Sequence, residues 1–333
     1  MGISLSLLFV LALILAAEFV NGWNDAANAI ATVVSTRVLS PIVAVGLACL
    51  FNIIGALSGT AVAATIGKGI VNPDVVNLST VAAGVLSVVI WGGFASWVGL
   101  PISISHSLIG GLAGAALGTG GVKALQVLGF KKVFLGIGFS TFLGFLGGWV
   151  LMVLLYRILA TFLPGTIRRV FGKLQLFSAA LMAFSHGSND GQKFIGVFSL
   201  ALFLGGVYPE FHVPLWVILL CAVTMGAGTS IGGMRVIKTM GLGLTKLEPV
   251  HGFAAETGAA LTIEIASRFG IPLSTTHTIA TSIMGVGATR RFSAVRWGVT
   301  RDIVIAWFLT FPLCGVIGWV VIELLRLTGI AAG

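Results

Sequence analysis

Two aspartates stand where an apolar chain has least reason to carry them. Asp25 lies in Asn21-Gly22-Trp23-Asn24-Asp25-Ala26-Ala27-Asn28, directly after the apolar run 3–20. Asp190 lies in His186-Gly187-Ser188-Asn189-Asp190-Gly191-Gln192-Lys193, again within a long apolar segment. A carboxylate at the centre of a bilayer costs about 2.5–3.5 kcal/mol even on lenient insertion scales, so one that persists there has something to bind. Hard cations take carboxylate, amide and carbonyl oxygens, which a helix broken within the membrane can supply. Asp25 and Asp190 therefore read as ligands for a cation or a proton. Asn28 shares a helical face with Asn24 at i and i+4 spacing, and Asn189 repeats Asn24. Glu256, in another apolar run, is a third candidate for the same chemistry.

A second kind of chemistry is suggested by Leu100-Pro101-Ile102-Ser103-Ile104-Ser105-His106 and its echo Ile271-Pro272-Leu273-Ser274-Thr275-Thr276-His277. Proline suits the first position of a helix, where no amide hydrogen is needed. Ser103, Ser105, Ser274, Thr275 and Thr276 then fall in the first turns. Helix N-termini carry partial positive charge and unsatisfied N–H groups, and they bind phosphate-like anions. Two facing N-termini would make an anion site. His106 and His277 lie deeper in these helices and read as packing residues. Lys193 and Arg268 are the basic residues nearest the site, where they could neutralise an anion or pair with Asp190 and Glu264.

These pairs show how the chain is built. Asp25 to Asp190 is 165 positions and His106 to His277 is 171, nearly one register. The chain reads as two copies of one unit, residues 1–165 and 166–333. In each copy a helix broken at glycine (Gly22, Gly187) precedes a conventional span (42–66, 215–234). Two runs then meet at a proline without a polar loop (78–99 and 102–119; 249–269 and 273–288), and a last span follows (133–162, 298–325). A meeting point without a polar loop predicts a re-entrant hairpin, whose irregular backbone must be buried in protein or line a cavity. The fold class is thus an all-α polytopic membrane protein.

Three spans plus a hairpin per copy would invert the second copy relative to the first. With both termini extracytoplasmic, Arg37, Arg157, Arg168, Arg169, Lys173, Arg235, Lys238, Lys246, Arg290, Arg291, Arg296 and Arg301 fall inside. Only Lys68, Lys123, Lys131, Lys132 and Arg326 fall outside, a bias in the sense of the positive-inside rule. Inverted repeats with broken helices meeting at the midplane point to a secondary transporter.

Composition excludes other classes. The 333 residues are 57% hydrophobic and only 9% charged, against about a quarter charged in soluble proteins, and the mean hydropathy is +1.08. The net charge of +9 sits in short loops between apolar runs and forms no stripe that would bind nucleic acid. Cys49, Cys221 and Cys314 have no metal or redox spacing. An intramembrane hydrolase built on His186, Asp190, His251 and Glu256 is disfavoured, because no HExxH occurs and His251 and Glu256 are five apart. No enzymatic activity and no cofactor are expected.

Two Gly-x-Asn-Asp motifs and two Pro-x-Ser-x-Ser/Thr-His motifs, in order in both halves, resemble the PiT family of inorganic phosphate transporters. The resemblance covers nearly the whole chain and points to a compact prokaryotic member. It implies an inverted-repeat carrier in the cell membrane that cotransports phosphate with Na+ or H+, commonly as a homodimer. By position it assigns phosphate-binding roles to Asn24, Asn189, Ser103, Ser105, Ser274, Thr275 and Thr276, and cation-coupling roles to Asp25, Asn28, Asp190 and Glu256. Lys193 departs from the pattern, standing where the duplicated motif often has Asn. Asn52 stands where eukaryotic members often have Glu. Transport of another oxyanion such as sulfate, or passive anion conduction, is the alternative.

Overall fold

The computed structural model describes residues 4–329. The chain ends, expected above to be extracytoplasmic, lie outside the described residues. The same element order runs twice. In the first half, α1 (Leu5–Ser35) is followed by α2 (Pro41–Ala56) and α3 (Ala61–Gly69). Then come α4 (Leu78–Val98), α5 (Ile104–Gly120), a short 3-10 turn and α6 (Val127–Ile158). In the second half, α7 (Pro164–His186), a π-turn (Gly187–Gly191) and α8 (Gln192–Leu204) stand in the place of α1. They are followed by α9 (Leu215–Ile231), α10 (Met234–Gly243), α11 (Pro249–Arg268), α12 (Thr275–Arg290), another 3-10 turn and α13 (Trp297–Leu327). Among the described residues four helices are long and apolar enough to cross a membrane, or up to six if each bent pair counts as one span.

Of the two predicted breaks only the one at Gly187 interrupts an α-helix. α1 runs through Gly22 without interruption, and at Gly187 the chain makes a π-turn in right-handed helical conformation. Both glycines serve helix contact. A Cβ on Gly22 would lie 2.1 Å from the Met225 carbonyl oxygen of α9, and one on Gly187 would lie 2.1 Å from the Asn52 carbonyl oxygen of α2. Gly228 and Gly55 return the contact, against the carbonyls of Phe19 and Phe184. Small residues of this kind let membrane helices approach backbone to backbone. The bends fall one element later in each half: α2 and α3 meet at 70°, and α9 and α10 at 72°. Segments 42–66 and 215–234, expected to be conventional spans, therefore each contribute to a bent pair, and the residues after 234, with Arg235 and Lys238, form the helix α10.

The hairpins differ in detail from expectation too. Gly99 closes α4 with φ +89° and Gly270 follows α11 with φ +64°, the left-handed conformation in which glycine ends helices. Pro101 and Pro272 lie in the linkers and not at the first helical position. The helices start at Ile104 and Thr275, and Ser103 and Ser274 are their N-caps, accepting from the amides of His106 (3.2 Å) and His277 (3.3 Å). A hydroxyl cap suits these helix starts better than proline, because it satisfies one of the orphan amides.

The two halves interlock. Arm α5 of the first hairpin packs on α13 of the second half, and α12 packs on α6 of the first. These contacts are also glycine-lined: Gly114 meets the Gly315 carbonyl, and Gly285 meets the Phe145 carbonyl.

Candidate functional site

Helix α1, the π-turn and the two hairpin linkers bring most of the expected residues into one buried cluster. Its centre is Asp25, His186 and Asp190, whose ligand atoms all lie within 4.8 Å of one another. Imidazole Nε2 of His186 is 3.2 Å from the Asp190 carboxylate and 4.0 Å from that of Asp25, while its Nδ1 is 3.0 Å from Asn52 Oδ1. Sequence reading placed His186 only in a disfavoured hydrolase and missed its role here. The signal was its i, i+4 spacing to Asp190, which puts both on one helical face.

Two clasps join this centre to the hairpins. Asn28 Nδ2 donates to the hydroxyls of Thr275 (3.2 Å) and Thr276 (3.0 Å), and Thr276 in turn donates to Asp25 at 3.4 Å. Thr275 donates to Asp190. Lys193 is fully buried and donates to Asp190, to Ser105 Oγ at 2.5 Å and to the Leu273 carbonyl at 2.6 Å. Ser105 donates to that same carbonyl at 3.1 Å. Of the two readings of Lys193, the ion pair with Asp190 is the one formed here.

Asn24 and Asn189 reach the linkers. Asn24 Nδ2 donates to Ser96 Oγ (3.0 Å) and to the Leu100 carbonyl (3.4 Å). Asn189 Nδ2 donates to Ser267 Oγ (2.8 Å) and the Ile271 carbonyl (3.3 Å), and its Oδ1 accepts from the Leu273 amide. Asn24 and Asn28, one turn apart, thus serve different hairpins.

Glu256 stands in a separate buried cage between α1, α7 and α11. It accepts from Thr32 (2.5 Å), Gln175 (3.0 Å) and Ser178. Thr32 is seven residues beyond Asp25 on α1, about 10 Å along the axis. None of its three partners was singled out from the sequence. Donors on both oxygens suit a carboxylate, which accepts at four positions.

His106 and His277, the third residues of their helices, meet edge to face with ring centroids 4.7 Å apart, and Trp307 stacks on His277. They lie against each other and against aromatic rings, in keeping with a packing role. Arg268 is exposed and bonded to Glu264 at 3.2 Å. That pair borders a cavity of about 410 Å³ lined also by Ser58, Ser188, Gln192 and Ser267. Of its lining residues, Ser267 accepts from Asn189, the neighbour of Asp190 in the chain. At the corresponding place in the other half, Arg235 donates to the Trp97 carbonyl, and Thr239 donates to the Gly99 carbonyl at 2.9 Å.

A sequence profile of the phosphate transporter family matches residues 21–164 and again 160–318. The chain belongs to that family. It is 44% identical over 303 residues to a protein of Rhizobium meliloti (strain 1021) named "Probable low-affinity inorganic phosphate transporter", covering 90% of each chain. A Bacillus subtilis (strain 168) protein of the same name is 38% identical over 307 residues, covering 91% of this chain and 92% of its own. The fold matches a solved structure titled "The sodium-dependent phosphate transporter" with TM-score 0.90 at 24% identity, over 97% of this chain and all of that one. The chain is a multi-pass membrane transporter and not an enzyme, as its composition and motifs predict.

Proposed function

We propose that this transporter imports inorganic phosphate across the cell membrane, driven by a gradient of Na+ or H+. The observation that carries this reading is the meeting of two helix N-termini at the buried carboxylates: Thr275 and Thr276 of the second donate to Asp190 and Asp25, and Ser105 of the first reaches Asp190 through Lys193. The N-termini and the hydroxyls of Ser105, Thr275 and Thr276 bind the anion. Ser103 and Ser274, whose hydroxyls cap the helices, serve phosphate by fixing the two helix starts. Asn24 and Asn189 serve phosphate by holding the linkers at the right height. Asp25, with Asn28 and Asp190, binds the coupling cation, and Glu256 is a second cation or proton site.

The repeated element order supports two inverted repeats, 1–165 and 166–333, with re-entrant hairpins reaching the midplane. Both termini are then extracytoplasmic. The cavity beside Ser58 and Arg268 is the outward entrance, and the Arg235–Trp97 contact closes the inward one. The family resemblance adds a homodimer. The relatives' names favour phosphate over sulfate, and the solved neighbour's title favours Na+.

The test is uptake of labelled phosphate into proteoliposomes, first with an imposed Na+ gradient and then with a pH gradient. Accumulation above the external concentration with one of them supports a coupled carrier. Equilibration that never exceeds it identifies a passive conductor, and faster uptake of sulfate than of phosphate would overturn the substrate.

A further inference from the structure

The duplication lets each half of the site be compared with the other, and the comparison exposes one asymmetry. By register, Asp25 corresponds to Asp190, Asn28 to Lys193, Thr276 to Ser105 and Ile102 to Leu273. In both halves the residue three positions after the aspartate meets a hydroxyl from the first turn of the opposite half's hairpin; of the aspartates themselves, Asp25 meets Thr276 of the opposite half and Asp190 meets Thr275 of its own. In the first half that residue is Asn28, on Thr276 at 3.0 Å. In the second it is Lys193, on Ser105 at 2.5 Å.

The Lys193 ammonium is surrounded by a carboxylate oxygen of Asp190, the Ser105 hydroxyl and the Leu273 carbonyl, the last two at 2.5 and 2.6 Å. This is the set of donors that hard cations select: carboxylate, hydroxyl and backbone carbonyl. The ammonium is buried and at the end of a stem anchored in α8, so it cannot leave with the substrate. No such stem is present beside Asp25. There the Thr276 hydroxyl, itself held by the Asn28 amide, donates to the carboxylate, and the His186 imidazole lies 4.0 Å away.

We propose that Lys193 is a tethered cation, filling the half-site in which a symmetric duplicate would hold a second coupling ion. The transporter then moves one fewer free cation per phosphate than its two aspartates would allow. The inference rests on the coupled-carrier reading above and adds the cation number and the residue that sets it. It also explains why a positive charge is tolerated at this depth. A buried ion pair with its remaining donors satisfied is retained, whereas either partner alone is costly.

The experiment measures cations moved per phosphate in proteoliposomes, from the gradient that just balances a fixed phosphate gradient, for wild type, Lys193→Asn and Asn28→Lys. The cation used is the one that drives wild type. Lys193→Asn frees the second half-site, so one more cation should accompany each phosphate. The purified variant should also gain more thermal stability from that cation than wild type does. Asn28→Lys fills the remaining half-site, so its uptake should lose one cation per phosphate. A Lys193→Asn protein that moves the wild-type number and differs only by a raised KM for phosphate would make Lys193 a substrate ligand and overturn the assignment. If Lys193→Asn does not fold, Asn28→Lys decides: loss of a cation supports the proposal and an unchanged number overturns it. Wild-type uptake indifferent to every cation gradient would instead sink the coupling itself.

Discussion

Asn189 and Leu273 exchange a hydrogen bond that has no equivalent in the other half: Asn189 Oδ1 accepts the Leu273 amide at 3.2 Å, while Asn24 Oδ1 is buried without a partner. The two asparagines occupy the same place in the duplicated motif, yet one holds its hairpin by both ends of its amide and the other by its nitrogen alone. Leaving a buried partner unsatisfied costs about 1–3 kcal/mol. Asn189→Ala should therefore destabilise the protein more than Asn24→Ala. Denaturant titration in detergent micelles measures the difference. Equal losses would mean that the Leu273 bond contributes nothing.

Asp25→Asn keeps the shape of the side chain and removes its charge. If Asp25 holds the coupling cation, its loss should weaken phosphate binding by up to the factor through which bound cation tightens it, since linkage is reciprocal. A coupling of about 1–3 kcal/mol corresponds to roughly 5–150-fold. Phosphate binding to purified protein at saturating and at low cation is the measurement. A variant with wild-type affinity and wild-type cation dependence would show Asp25 to be structural.

Gly22 sets two effects against each other. Within a helix, Ala is favoured over Gly by about 1 kcal/mol, but at Gly22 a Cβ would lie 2.1 Å from the Met225 carbonyl oxygen. Gly46 in α2 offers the control, since nothing lies within 4 Å of its Cβ position. Gly46→Ala should be neutral or stabilising, and Gly22→Ala should lower the unfolding temperature and separate α1 from α9. Similar behaviour of the two variants would remove the reason offered for Gly22.

Glu256 separates charge from hydrogen bonding. Glu256→Ala leaves Thr32, Gln175 and Ser178 without their shared acceptor and should be the less stable variant. Glu256→Gln keeps one oxygen and should fold, while shifting the cation concentration needed for half-maximal uptake. Unchanged cation dependence in Glu256→Gln would confine this residue to a structural role.

Sidedness can be read with cysteines in a Cys49→Ser background. Ser58→Cys, at the cavity beside Arg268, should react with an impermeant thiol reagent added outside intact cells. Thr239→Cys, at the closed contact with Gly99, should not. The reverse pattern would invert the proposed topology.

The sequence was most legible where the two copies agree. The repeated Asn-Asp and Ser/Thr-His motifs led to the helix and the hairpin that carry the site, and the glycines beside them marked places of special backbone. What those glycines do was not legible, because a glycine that permits close helix contact and one that breaks a helix look alike until the neighbouring helix is known. The bends after Ala56 and Ile231 do carry a signal, Ser58-Gly59-Thr60 and Gly232-Gly233, but in so glycine-rich a chain it does not stand out from the glycines that only serve packing. Partners far apart in sequence were equally hidden. Nothing near Glu256 in the chain announces Thr32, 224 positions away, and Asn52, noted in the sequence only as a departure from the family pattern, shows its partner only once it is seen against His186.

The crossed packing of α5 on α13 and of α12 on α6 bears on how the protein is made. A ribosome delivers the first half complete with Asp25 and Asn28 before Thr275, Thr276 and α13 exist. Until then the first hairpin has no outer wall and the aspartate has no hydroxyl from across the molecule. The newly inserted half is thus an open clasp, exposed to membrane proteases for as long as synthesis of the second half takes. Pausing of translation after residue 164 should prolong that interval and shorten the lifetime of the nascent chain.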